Sequence, residues 1–281
     1  MINQIVATWH NLLIVRDGEI VESLSEPNTG HYGVTWNSDY LFALFADTSV
    51  TDGTNQNIRL FDHQLNPVRD ILMGEIAGVH QILWSDGMLW ITSTNDDTIV
   101  IADEQGEIIK RWRPVPEFDE KHPGKQHVNS IWINNGYIYT IAHGLNFGNP
   151  AIYCHNESFD MIFKRAIRRR AHNVYRHREK LFYIQNGMVV FQNGSEIYVG
   201  EGMMKGLSVT DNRIYVGSSR IIEDRATRLS NPYGVLFELD YDFNTITNYQ
   251  LDAGPVGEIR TLNQKDYAHH GMVWAGRYGK E

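Results

Sequence analysis

The stretch Gln126-His127-Val128-Asn129-Ser130-Ile131-Trp132-Ile133-Asn134-Asn135-Gly136-Tyr137-Ile138-Tyr139 decides how the rest of the chain is read. A histidine opens an alternating strand, Asn134-Asn135-Gly136 makes a polar turn, and an aromatic-rich second strand answers it. The unit recurs at roughly forty-five-residue spacing, the range in which periodicity signals a repeat architecture. His31-Tyr32-Gly33-Val34-Thr35-Trp36 precedes Asp39-Tyr40-Leu41-Phe42, and Val79-His80-Gln81-Ile82-Leu83-Trp84 precedes Asp86-Gly87-Met88-Leu89-Trp90. His172-Asn173-Val174-Tyr175-Arg176-His177 precedes Lys180-Leu181-Phe182-Tyr183. A fifth copy, Gly206-Leu207-Ser208-Val209 before Arg213-Ile214-Tyr215-Val216, has Lys205 near the histidine position.

Each unit is followed by a second hairpin. Thr98-Ile99-Val100-Ile101 turns through Asp103 to Gly106 into Glu107–Trp112, and Met188-Val189-Val190-Phe191 turns at Asn193-Gly194. Helical periodicity is absent, so every period reads as four short antiparallel strands, the unit of an all-β propeller. Five internal blades fall at 31–75, 79–113, 126–168, 171–200 and 204–251. A sixth is expected from a C-terminal hairpin (Glu258–Leu262 and Met272–Ala275) and an N-terminal one (Leu12–Val15 and Glu19–Leu24), with five or seven blades as the alternatives. Closure by both termini removes the open edges that an incomplete ring would expose. Residues 1–281 then form one domain.

The blade pattern, which covers nearly the whole chain, resembles six-bladed propellers of the NHL and gluconolactonase-like type. The resemblance is architectural. It implies the fold and carries no catalytic residue over, because fold alone does not supply function.

Composition narrows the function classes. With 42% apolar and 21% charged residues, the chain can bury a core. A net charge of -9 without a basic block excludes a nucleic-acid backbone binder, and the run Lys164 to Arg170 reads as a solvated strand edge. Cys154 is the single cysteine, which rules out a disulfide framework or thiolate cluster and suits a small buried hydrophobe. Neither a leader-like segment nor an apolar run long enough for a membrane span is seen, so a cytoplasmic protein with no membrane partner is expected.

In a propeller the innermost strands line a central channel. Histidines at their starts, His31, His80, His127 and His172, should therefore meet at one mouth. Aligned on Trp36, Trp132 and His177, three share register; His80 falls one residue later and needs a bulge to join them. Neutral imidazoles so gathered suit a divalent transition metal, iron, zinc, manganese, copper or nickel, with Glu258, Asp47 or Asp97 to complete or orient the shell. The competing reading is plain hydrogen bonding to backbone and channel water.

Lys205, Glu258 and His143 are the candidate acids and bases. The long loops Ala46–Gln56, Ala142–Pro150 and Gly217–Tyr233 should overhang the same mouth. They bring Asp52 and the arginines Arg220, Arg225 and Arg228, which could clamp a carboxylate or phosphate. Asn129 and Asn173 could add amide contacts to a ligand, or pair with backbone. The remaining histidines, His63, His122, His155, His177 and the pair His269-His270, read as surface residues, and Trp36, Trp84, Trp90 and Trp132 as core. Two functions follow. One is a metal-dependent enzyme acting by hydrolysis, elimination or oxidative cleavage on a small organic substrate; the other is a non-catalytic propeller binding a protein or glycan.

Overall fold

The computed structural model describes residues 1–25, 29–47, 56–72, 74, 76, 78–117, 119–144, 149–177 and 179–280. Six antiparallel sheets are arranged as a ring of blades. Blade one joins the C-terminal strand Val256–Thr261 to Asn3–Thr8, Leu12–Arg16 and Glu19–Ser23. Blade two has a split inner strand, Thr29–Gly30 and Val34–Trp36, followed by Leu41–Asp47, Gln56–Phe61 and Pro67–Leu72. The inner strands of blades three to six are Val79–Ser85, Val128–Asn134, His172–His177 and Met203–Val209. Adjacent inner strands pack side by side around the whole circle, so the ring is closed. The termini close it as one strand plus three, not two plus two. Asn3–Thr8 is the second strand of the blade, and Met272–Ala275 forms no strand.

The local chemistry explains the hairpins. Asp86-Gly87, Asn135-Gly136 and Asn186-Gly187 each place two consecutive residues at positive φ, the turn whose twist matches antiparallel strands. Second strands such as Lys180–Gln185 are buried on both faces, while outer strands such as Ile108–Trp112 are largely exposed. The apolar core accordingly lies between blades. Trp36, Leu41 and Leu12 fill the seam of blades one and two, and Phe42, Ile58 and Ile82 that of blades two and three.

A recurring irregularity shapes the channel. The inner strands of blades one, three, four, five and six all break register close to the axis, and blade two is interrupted at 31–33. Each bulge re-aims the neighbouring side chains. Side chains at these breaks reach across to the next blade: Gln81 Oε1 accepts from Ile131 N (2.8 Å) and Asn173 Oδ1 from Gly206 N (3.0 Å). Gly206 sits at φ +79°, where an added Cβ would lie 3.0 Å from the backbone of Glu258 and Ile259. Gly206→Ala is expected to lose about 1–2 kcal/mol, read by urea denaturation, because a left-handed backbone clashes with any Cβ. An unchanged midpoint would mean that this bulge does not hold in solution.

The far end of the channel is covered by the segment after blade one. Its Tyr267 N donates to Val209 O (2.7 Å), its Arg277 N to His63 O (2.6 Å), and its His270 ring contacts Trp36 O (3.2 Å). His269 beneath it is fully buried, bonded to Thr35 and set 4.4 Å from the Trp36 ring, which corrects the expectation of a surface pair. His155 is also buried, against Trp112. Among the described residues no helix is long and apolar enough to cross a membrane. The one helix among them, Arg225–Ser230, lies in a loop where only irregular chain was expected.

Candidate functional site

At the open end the inner strands surround a cavity of about 520 Å³. Three of the four histidines expected at the mouth are there, joined by His143 from the loop after Tyr137–Ala142. The ring centres of His80 and His127 are 4.8 Å apart, of His127 and His143 4.5 Å, and of His143 and His172 5.4 Å. His80 arrives through the bulge of its strand. His127 arrives through a left-handed backbone, φ +53°, held by the carboxylate of Asp97, which accepts from Gln126 N (3.0 Å) and Val128 N (3.4 Å). Asp97 thus shapes the turn and is not among the residues lining the mouth.

His31 does not join them. Its side chain is fully buried under blade two, Nδ1 against Leu44 O (3.2 Å) and the ring edge-on to Phe45 (5.0 Å). The interruption of the inner strand shifts the register by one, so Tyr32 takes the place at the mouth and stacks on His80 at 5.4 Å. Trp9, 5.1 Å from Tyr32, extends this aromatic wall.

Two cations complete the lining, and Lys205 Nζ lies 5.5 Å from the centre of the Tyr32 ring. Lys205 and Arg170 both line the cavity, and no carboxylate does among the described residues. Arg170 was hidden in the basic run read as a strand edge; its place two residues before His172 was the available signal. Burial, with the charges of Lys205 and Arg170, pushes His143 down to about 3. Burial does the same to His172, helped by Lys205, and holds it well below the ordinary histidine value. Both imidazoles are therefore neutral at physiological pH.

Beneath the mouth is a throat with about 10 Å³ of free space, room for roughly one water. Glu258 lies there, 1% exposed, bonded to Arg260 Nη1 at 3.0 Å. Burial raises it to about 7 against the pull of Arg260. It does not border the mouth. Asn129 and Asn173 face the throat but spend their amides on the wall. Asn129 Nδ2 donates to Ala171 O (3.1 Å) and lies 3.1 Å from His172 Nδ1, while Asn173 Nδ2 reaches Glu258 (3.5 Å).

Of the loop arginines, Arg220 is exposed and lies 4.9 Å over the Tyr233 ring, away from the mouth. The backbones of Arg225 and Arg228 belong to the short helix, whose Leu229 borders the cavity; their side chains, with those of Asp47 and His177, lie outside the described ones. Asp52 lies outside the described residues altogether. Among the described residues no group of three or more histidine, cysteine, aspartate or glutamate side chains is arranged to hold a metal ion.

No family model matches the chain, and no curated protein matches it. Solved structures do. A protein of unknown function from Bacteroides caccae superposes with a TM-score of 0.68 at 10% identity, over 94% of this chain and 100% of that one. A chain of a nidogen/laminin complex gives 0.64 at 9%, over 92% and 97%. Virginiamycin B lyase from Staphylococcus aureus gives 0.50 at 14%, over 80% and 71%, as does its catalytically inactive histidine-to-alanine variant with quinupristin. At these identities the likeness is one of fold, and the six sheets of the closed ring make the chain a six-bladed β-propeller.

Proposed function

We propose that the chain is an enzyme whose active site is this funnel and whose substrate is a small organic anion, a carboxylate or a phosphate ester. The observation that carries the reading is the make-up of the mouth: neutral His143 and His172 beside Lys205 and Arg170, in a cavity free of carboxylates among its described lining residues. Fixed cations in a low-dielectric cleft concentrate an anion there and hold it by charge-assisted hydrogen bonds, even on a chain of net charge -9. A cavity of 520 Å³ suits a metabolite-sized ligand, and Trp9 and Tyr32 offer it an apolar wall.

The reaction class that fits is proton transfer beside an anionic group, by elimination or hydrolysis. In the elimination, a neutral imidazole takes the proton from the carbon next to the carboxylate. That C–H electron pair becomes the new double bond. The leaving group departs from the adjacent carbon with its own bonding pair and takes the proton back from the imidazolium, which restores the neutral imidazole. Lys205 stabilises the charge that builds on the carboxylate oxygens. A protein of similar fold, the S. aureus virginiamycin B lyase, is catalytically inactive when one histidine is replaced by alanine.

The test is a melting-shift and calorimetric screen with small dicarboxylates and phosphate monoesters, followed by turnover assays on the binders. Lys205→Met is expected to weaken binding by about tenfold to a hundredfold, the worth of one charge-assisted hydrogen bond. Failure of every anion to bind, or equal binding by Lys205→Met, would remove the reading.

A further inference from the structure

We propose that Asn129 and Ser130 lock His172 in its Nε2–H tautomer, so that His172 serves the mouth as a hydrogen-bond donor and is neither its base nor a metal ligand. The inference deepens the anion-site reading and rests on it for the donor's purpose. The tautomer itself follows from hydrogen bonds in the wall.

The orientation of the Asn129 amide is fixed from two sides. Its nitrogen lies 3.1 Å from Ala171 O, a group that can only accept. Its oxygen accepts the Ser130 hydroxyl proton at 2.9 Å, and Ser130 Oγ in turn accepts from Asn173 N at 3.0 Å. Turning the amide over would set two carbonyl oxygens about 3 Å apart and leave buried acceptors facing each other, which costs more than either hydrogen bond gains. The same nitrogen lies 3.1 Å from His172 Nδ1. An amide nitrogen only donates, so Nδ1 must be the acceptor, and the one proton of a neutral imidazole is then on Nε2.

The consequence is chemical. Metal-bound histidines donate their second ring nitrogen to an acceptor, which leaves the other lone pair for the ion. His172 has the opposite arrangement: a donor occupies Nδ1, and Nε2 carries a hydrogen where a lone pair would be needed. For the same reason Nε2 cannot take a proton from a substrate. Among the described residues Nε2 has no hydrogen-bond partner, and the ring borders both mouth and throat. With Lys205 it offers an anion a pair of donors, and the basic role passes to another imidazole of the lining, such as His143.

The experiment is ¹⁵N–¹H correlation of the imidazole nitrogens in full-length protein labelled at histidine. The wild type is expected to show a pyridine-like Nδ1 and a pyrrole-like Nε2 at His172. In Asn129→Asp, where a carboxylate can only accept, the two signals should exchange character. If Asn129→Asp does not fold, Ser130→Ala takes its place, and the released amide should give a mixture of tautomers. Added Zn²⁺ should leave the His172 signals of the wild type in place. A pyrrole-like Nδ1 in the wild type, no change in either variant, or a Zn²⁺-shifted Nε2 with Asn129 intact would overturn the proposal. None of these readouts depends on whether an anion binds, so a failed anion screen would strike the proposed substrate and leave the tautomer standing.

Discussion

Lowering the pH from neutral to about 4 is expected to unfold the protein cooperatively, through protons taken up by buried imidazoles. His31, His143, His155, His172 and His269 are all buried, and burial lowers each of them from the ordinary value of 6.5. A histidine whose folded-state value is depressed contributes stability that is present above 6.5 and lost as the pH falls toward that depressed value. For His31 the folded value is about 4. The difference amounts to about 3 kcal/mol at pH 4, since one unit is worth about 1.4 kcal/mol.

Three carboxyls act the other way. Glu258, raised to about 7 by burial, and Asp266 and Asp97, also raised by burial, accept protons more readily folded than unfolded, so they add stability as the pH falls through that range. Five imidazoles outweigh three acids, and a net stability of about 5–15 kcal/mol is within their reach. Tryptophan fluorescence and far-UV circular dichroism against pH would follow the transition. His31→Gln, which can still donate to Leu44 O, should reduce the proton uptake by about one. An acid transition indifferent to His31→Gln would count against the buried-imidazole account.

Most of the fold could be read from local signals because its repeating unit is local: two apolar strands around a turn such as Asn135-Gly136 need nothing from the rest of the chain. The closing blade was misread where pairing is longest in range. Met272–Ala275 has strand-like residues, yet the segment is used to cap the far end of the channel, and Asn3–Thr8 takes the vacant place beside Val256–Thr261. The site was legible to within one residue. Histidine spacing pointed to the mouth, and the offset of His80 already called for a bulge, but nothing in the spacing showed the break in the inner strand of blade two. That break exchanges His31 for Tyr32. Burial of His269 depends on the chain segment that crosses the far end of the channel, and no neighbouring residue announces it, whereas Arg170 had one local signal, its place two residues before His172.

Replacing Arg260 by alanine is the substitution expected to damage stability most. Its guanidinium is completely buried on the channel axis, where Nη1 donates to Glu258 Oε1 (3.0 Å), Leu207 O (2.8 Å) and Ile259 O (3.0 Å), and Nε to Val34 O (3.3 Å). It thereby ties blade one to blades two and six. Nearby Asp266, which accepts from Val209 N, Thr261 N and Ala268 N (each 3.1 Å), also feels its charge. Without the arginine two buried carboxyls lose their cation, and breaking a buried pair in this way costs about 3–5 kcal/mol. In calorimetry that is a fall in melting temperature of roughly 10 °C for a chain of this size. A pure packing loss would be the same at every pH. The charge account instead requires a larger loss at pH 8 than at pH 6, because a carboxyl with a raised folded-state value destabilises progressively as the pH climbs through that value, about 7 for Glu258 even with Arg260 in place. Adding Glu258→Gln to Arg260→Ala should recover part of the loss and flatten its pH dependence; a double variant no more stable than the single one would show that Arg260 acts through its packing and backbone bonds alone.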